Sequence, residues 1–277
     1  MSDQRTALLR LLDDDDPHTL TLLKEQLVSG GVAALPHLRE MLQTAGEPAN
    51  SHLRDVLAKI ESKEADAIFA DYCAHFREKG NLEDAAWLLA STFMPGDSFQ
   101  PQRDLLHAWG AEVARRLGKA HSDRDRIETL VEYLGHELRF RGNLEDYYNV
   151  NNSLLPEVIE TRMGIPISLS LVYMLVGQRA GLNIHGVGLP GHFIIRHGED
   201  FFDPFHAGQR LGLDECWSLF EQHGQTLTAE LLEPATPHQI LRRILTNLYH
   251  IAAPSDAELA VKLASWMDSL GKPRSNR

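Results

Sequence analysis

The period of the hydrophobic pattern changes within residues 162–206, and no other feature constrains the fold as much. Arg162-Met163-Gly164-Ile165-Pro166-Ile167-Ser168-Leu169-Ser170 opens a helix, with Pro166 in a first turn that has no use for the N–H that proline lacks. From residue 185 the runs become short, apolar or alternating, and broken by Gly and Pro: His185-Gly186-Val187-Gly188-Leu189, His192-Phe193-Ile194-Ile195-Arg196-His197 and Phe201-Phe202-Asp203. Such runs predict antiparallel strands. The chain therefore offers, in order, a helix N-terminus, a strand histidine (His192) and a strand aspartate (Asp203). Thiol hydrolases and acyltransferases hang Cys, His and Asp on that skeleton. Free N–H groups at a helix start favour an anionic nucleophile, the imidazole takes its proton, and the carboxylate fixes the imidazole tautomer. The thiol is missing here, and Ser168 in the first turn, with Ser170 just beyond it, supplies the hydroxyls nearby.

Upstream the pattern is helical. Leu8, Leu9 and Leu12; Leu20, Leu23 and Leu27; Leu35, Leu38, Met41 and Leu42; and Leu53, Leu57 and Ile60 recur at helical spacing and predict four short amphipathic helices. The acid run Asp13-Asp14-Asp15-Asp16-Pro17 ends as an N-cap followed by proline at the first helical position. Gly30-Gly31-Val32-Ala33-Ala34-Leu35-Pro36-His37-Leu38 resembles the turn and second helix of a HEAT-type repeat. Helical spacing continues from Lys63 to Leu117, and Ile127, Leu130, Val131, Leu134 and Leu138 predict one further helix. The phrase Gly80-Asn81-Leu82-Glu83-Asp84 returns as Gly142-Asn143-Leu144-Glu145-Asp146, but the residues that follow diverge, so it reads as coincidence. In the tail, Thr236-Pro237-His238-Gln239 and Ser255-Asp256-Ala257-Glu258 read as capping boxes. They predict a hairpin of helices over 237–252 and 256–270.

With 277 residues, 43% apolar and 24% charged, the chain can bury a full core. Its net charge of −12 argues against nucleic acid as a partner, which would need a concentrated basic face. The start Met1-Ser2-Asp3-Gln4-Arg5 lacks a basic segment followed by an apolar run, and no stretch approaches the roughly 20 apolar residues of a membrane span. Neither export nor membrane insertion is expected. Two distant cysteines, Cys73 and Cys216, form no disulfide framework and suit a reducing compartment, with the cytoplasm as the default. Both fall on apolar faces and read as core. His185, His192, His197 and His206 lack zinc-type spacing, so no metal and no cofactor are expected.

The order and context of these residues resemble the transglutaminase-like superfamily, whose catalytic Cys starts a helix while His and Asp come from two succeeding strands. Four phrases are similar to the bacterial SirB family within it: Gly142-Asn143-Leu144-Glu145-Asp146-Tyr147-Tyr148-Asn149, Arg162 to Ser170, Gly186-Val187-Gly188-Leu189-Pro190-Gly191-His192-Phe193, and Asp203-Pro204-Phe205. That resemblance implies a helical front and a TPR-like C-terminal hairpin, which Ile240 to Leu248 matches. It also implies an α+β fold: a transglutaminase-like, papain-like core with a small antiparallel sheet, flanked by HEAT-like helices at the N-terminus and TPR-like helices at the C-terminus. The expected boundaries are 1–62, 63–232 and 233–277. Counting back from Arg179 and Gly181, the superfamily's Cys falls between Pro166 and Ser168, and none of the three is Cys.

Each candidate residue has a structural reading beside the functional one. His192 also fits a buried histidine satisfied by backbone, and Asp203 before Pro204 is a turn former. Asn143, Glu145, Asp146, Tyr147, Tyr148 and Asn149 suit a groove wall or ordinary loop capping. Arg162, Pro166, Gly191, Phe193 and Phe205 complete the expected groove. A relic site that binds a protein partner or peptide is the leading expectation. The alternative is an amide or ester hydrolase or acyltransferase with Ser168, His192 and Asp203 as nucleophile, base and orienter.

Overall fold

The computed structural model describes residues 2–14, 16–76, 80–221 and 232–271. The chain divides into two units, Met1–Asp71 with Ser91–Ser98, and Tyr72–Ala90 with Phe99–Arg277.

The first unit is helical. Helices α1 (Ser2–Leu12), α2 (Pro17–Ser29), α3 (Leu35–Leu42) and α4 (Ala49–His75) follow one another, and Leu12, Leu38, Met41, Leu53, Val56 and Ile60 close their core. Asp16 ends the acid run as the N-cap of α2, accepting from the N–H groups of His18 and Thr19. The fourth helix is not short: α4 runs for 27 residues.

In the second unit the greater part of α5 (Leu82–Phe93), then α6 (Gln100–Leu117) and α7 (Asp123–Val131), precede the site. The helix expected to run from Ile127 to Leu138 stops at Val131 and continues as a π-helical turn over Glu132–Glu137, where Leu138 N–H reaches back to Tyr133 O. Next come β1 (Arg141–Gly142), a 3-10 turn at Val150–Ser153, α8 (Leu155–Thr161), β2 (Met163–Gly164) and α9 (Pro166–Arg179). Strands β1 and β2 pair in parallel, a contact with no signature in two-residue segments.

Helix α9 is apolar all round, as a fully buried helix must be. Every residue from Pro166 to Gly177 except Met174 is buried, and the helix packs on α6 and on the sheet. That sheet is β3 (His185–Leu189), β4 (His192–His197), β5 (Asp200–Asp203) and β6 (Gln209–Leu211), antiparallel in sequence order. Val187, Leu189, Ile194 and Phe201 form a second core with Cys216 of α10 (Leu213–Glu221). The tail is α11 (Pro237–Ala252) and α12 (Ala257–Gly271), packed together as a hairpin in the same unit as the sheet. Thr236 and Gln239 form the expected capping box of α11, whereas α12 is capped by Asp256, which accepts from Leu259 N–H at 2.9 Å, not by Ser255.

Candidate functional site

The histidine is set by a turn and a clamp. Pro190-Gly191 links β3 to β4, with Gly191 at φ 66° in the left-handed region that suits glycine, and Leu189 pairs with His192 to close the hairpin. From α11, Arg243 Nη2 donates to both carbonyls of that closing pair, Leu189 O at 2.8 Å and His192 O at 2.6 Å. The guanidinium thus ties the C-terminal helical hairpin to the backbone of His192. Sequence reasoning missed Arg243, whose helix periodicity says nothing about a distant turn.

Asp203 ends β5. Ile195 pairs with Phe202 across β4 and β5, so one further step of the register sets Asp203 opposite Ile194 and diagonal to His192 on the same face. Its two oxygens divide their tasks. Oδ1 accepts from Phe205 N–H at 2.9 Å, capping a 3-10 turn over Pro204–His206. Oδ2 lies 2.7 Å from His192 Nε2 and 2.7 Å from His206 Nδ1. The turn-forming and histidine-orienting readings of this aspartate therefore both describe it. Burial pushes the Asp203 pKa up, but the hydrogen bonds and charges of His192 and His206 outweigh it and hold the carboxyl below its ordinary value. With Nε2 turned to the carboxylate, His192 Nδ1 is the nitrogen left for a reacting group.

The helix start differs from the expectation. Ser168 is buried; its Oγ accepts from Ile165 N–H at 3.1 Å and lies 2.5 Å from Asn152 O and 3.0 Å from Ile165 O. This is the N3 half of a cap, satisfying backbone groups at the helix start. Among the described residues no hydrogen bond joins Ser168 to His192. Ser170 Oγ instead reaches β4, 3.4 Å from Phe193 O. One turn further on, the buried Tyr173 phenol is pushed well above its ordinary pKa by burial and by the charge of Asp203. Asn152, also missed, anchors the loop before the helix: its Nδ2 donates to Asp146 O at 2.6 Å and Tyr147 O at 3.1 Å, and its Oδ1 accepts from Asn143 at 3.0 Å.

The polar loop is therefore capped as well as exposed to the site. Asn143 Oδ1 accepts from Asp146 N–H, and Asn149 donates to Asp146 Oδ2, while Glu145 is exposed. Tyr147 meets Phe205 edge-on at 6.0 Å, Tyr148 stands edge-on to Tyr147, and Phe205 meets His192 edge-on at 6.0 Å. A side chain at Gly142 would strike the Phe205 ring at 2.4 Å, so a glycine there lets the aromatic wall form. Beside it a cleft of about 370 Å³ is lined by Pro190, Gly191, His192, Asp203, His206, Gln209, Leu211 and Glu215. Pro166 is the first residue of α9.

Two expected groove residues lie elsewhere. Arg162, at φ 63° after α8, lays its guanidinium over Trp109 at 4.3 Å and Phe140 at 5.2 Å. Phe193, next to His192, faces the other side of the strand under Arg243, where it lines a separate cleft of about 290 Å³. Of the four histidines weighed, His192 and His206 converge through Asp203, while His197 bonds Asn183 O and His185 borders a further cavity. Both cysteines are buried as expected; burial pushes the Cys73 thiol up to about 12 and the Cys216 thiol up to about 11, so neither supplies a thiolate.

The family model of the transglutaminase-like superfamily matches residues 101–246, from the start of α6 into α11. The chain belongs to the transglutaminase-like superfamily. This transglutaminase-like chain is 37% identical over 141 residues to a UPF0162 protein of Xylella fastidiosa, a match covering 47% of this chain and 50% of that protein. It is 29% identical over 192 residues to the UPF0162 protein PA3419 of Pseudomonas aeruginosa, covering 66% and 69%. It is also 35% identical over 134 residues to F-box only protein 21 of Mus musculus, covering 44% of this chain and 21% of that protein. The chain thus spans half the length of its Xylella relative. No solved structure matches it significantly. Among the described residues no helix is long and apolar enough to cross a membrane.

Proposed function

We propose that this transglutaminase-like chain is a SirB-type binding module that keeps the superfamily's His and Asp but carries no nucleophile against them, and whose cleft takes up a protein segment without cleaving it. The orientation of Ser168 carries this reading. Successive helix residues turn by about 100°, so Ser168 and Ser170 point about 200° apart. Ser170 is the one that reaches β4, behind His192. Pro166, one turn before Ser170, shares its face and is the residue at the nucleophile position. Proline offers neither a nucleophile nor a proton to His192 Nδ1. The serine-enzyme alternative would have to withdraw Ser168 from the cap of its own helix.

The remaining features suit binding. The cleft at His192 and Asp203 sets apolar Pro190 and Leu211 beside fixed polar groups, a make-up that suits a ligand site, and Phe205 stands edge-on to His192 with Tyr147 edge-on to Phe205. A region of the same kind occupies about a fifth of F-box only protein 21, which supports a module that works within larger chains. The helical flanks, HEAT-like at the N-terminus and TPR-like at the C-terminus, would add protein-binding surface, and buried free thiols fit a cytoplasmic setting.

The test has two arms. Intact-mass measurement after exposure to activated esters is expected to show no acyl adduct on Ser168, and resonance shifts on titration with extended peptides are expected to be saturable and to centre on Gly191, His192 and Phe205. An adduct on Ser168 that disappears in His192→Ala would establish the serine enzyme instead.

A further inference from the structure

We infer that His192, Asp203 and His206 form a site for one divalent d-block cation of the zinc class. One ligand atom from each of the three lies within 4.8 Å of the others. Two imidazoles and a carboxylate are the donor set of open 2-His-1-carboxylate centres, and imidazole selects Zn²⁺, Co²⁺ or Fe²⁺ over the oxygen-seeking Mg²⁺ and Ca²⁺.

The group is built by two routes. Asp203 and His206 are three residues apart across a 3-10 turn, where side chains at i and i+3 eclipse, while His192 arrives from β4. Metal bonds of about 2.0–2.2 Å put neighbouring ligand atoms about 3 Å apart. His192 Nε2 and His206 Nδ1 each stand 2.7 Å from Asp203 Oδ2, so those two pairs need to open by a few tenths of an ångström, while the two ring nitrogens, within 4.8 Å of each other, are brought to the same spacing by a turn of the His206 side chain. His206, with 56% of its side chain exposed against 14% for His192, is the ligand able to give way. Each neutral imidazole supplies its lone pair by moving its proton to the other ring nitrogen, Nδ1 in His192 and Nε2 in His206.

The outer contacts are those of a held site. Phe205 N–H fixes Asp203 Oδ1 and Arg243 fixes the His192 backbone, and such partners orient metal ligands. Three protein ligands leave positions open toward the cleft, where Gln209 and Glu215 stand. The inference is independent of whether the cleft binds a protein segment.

The test is a Co²⁺ titration of the full chain after chelator treatment, read by the visible d–d bands, with Zn²⁺ as competitor. One saturable equivalent is expected, displaced by Zn²⁺, weakened at least tenfold in His206→Ala, and acquiring a thiolate-to-cobalt band in His206→Cys. Circular dichroism checks that both variants fold; the exposed turn position favours this. Absence of saturable bands in the natural protein, or bands unaltered in both variants, would overturn the site and leave His206 as a second hydrogen-bond donor to Asp203.

Discussion

Ser168 and Ser170 stand two positions apart on α9 and send their hydroxyls to opposite sides of it, Ser168 to Asn152 O and Ser170 to Phe193 O. The first serves the helix start and the loop before it. The second touches the strand that carries His192. Pro166, one turn before Ser170, shares the Ser170 face of the helix, and this yields the first prediction.

Restoring a thiol at the proposed nucleophile position should restore thiolate chemistry. Pro166→Cys is expected to react with iodoacetamide well below the ordinary thiol pKa of about 8.5, because a helix N-terminus and a neighbouring imidazole both favour the anion. Adding His192→Ala should move that pH profile back toward the ordinary value. Cys73 and Cys216 are buried and should remain silent. Ser168→Cys, equally buried, should label slowly at every pH; fast labelling of that variant and none of Pro166→Cys would reverse the assignment.

Removing the Ser168 hydroxyl should cost stability. Ser168→Ala removes a hydroxyl that bonds the buried Ile165 N–H and Asn152 O and leaves them only their own 3.3 Å bond to each other, a loss of about 0.5–2 kcal/mol, as for a helix cap. Urea denaturation should show a lowered midpoint at unchanged slope. A change below about 0.5 kcal/mol would mean that the cap contributes little.

Arg243→Ala should loosen the hairpin that bears His192. It strips a charged donor from Leu189 O and His192 O, worth about 2–3 kcal/mol, and should speed amide exchange in β3 and β4 more than in α6. Arg243→Lys should recover part of the effect, since both bonds come from the one Nη2, which an ammonium can replace, while the guanidinium plane over Phe193 is lost.

Glu83 should contribute an acid-side stability slope. Burial raises its pKa, but the hydrogen bonds from Arg179 and Trp87 and the charges of Arg179 and Arg103 lower it further, with a net depression; Arg179 Nη2 stands 2.7 Å from Glu83 Oε1. A depressed carboxyl stabilises the fold above its unfolded pKa of about 4.3 and loses that contribution as the pH falls through the folded value. Thermal melts between pH 5 and 3 should fall more steeply for the natural protein than for Glu83→Gln, which should be less stable near pH 7. Parallel curves would show that the pair contributes nothing to the pH dependence.

Local hydrogen-bond chemistry was the most legible level of the chain. The Asp16-Pro17 and Thr236-Pro237 starts, the strands at 185–197 and the helix opening at Pro166 all follow from side chains acting on backbone within four residues. Even the echo of Gly80–Asp84 in Gly142–Asp146 has a local cause: Asn81 and Asn143 each accept from the N–H three residues on. After the first echo a helix follows; after the second the loop folds back on Asn152.

The sequence by itself determined the order of helix start, histidine and aspartate, and the absence of a cysteine among residues 166–168, because these depend on residue identity and period alone. Only the tertiary structure decided that His206 shares the Asp203 carboxylate, that Arg243 clamps the His192 backbone, that Arg162 leaves the groove for Trp109, and that Ser168 caps its own helix. Those contacts join residues whose meeting depends on how packed elements converge, and periodicity names the face a residue occupies without naming what that face will touch.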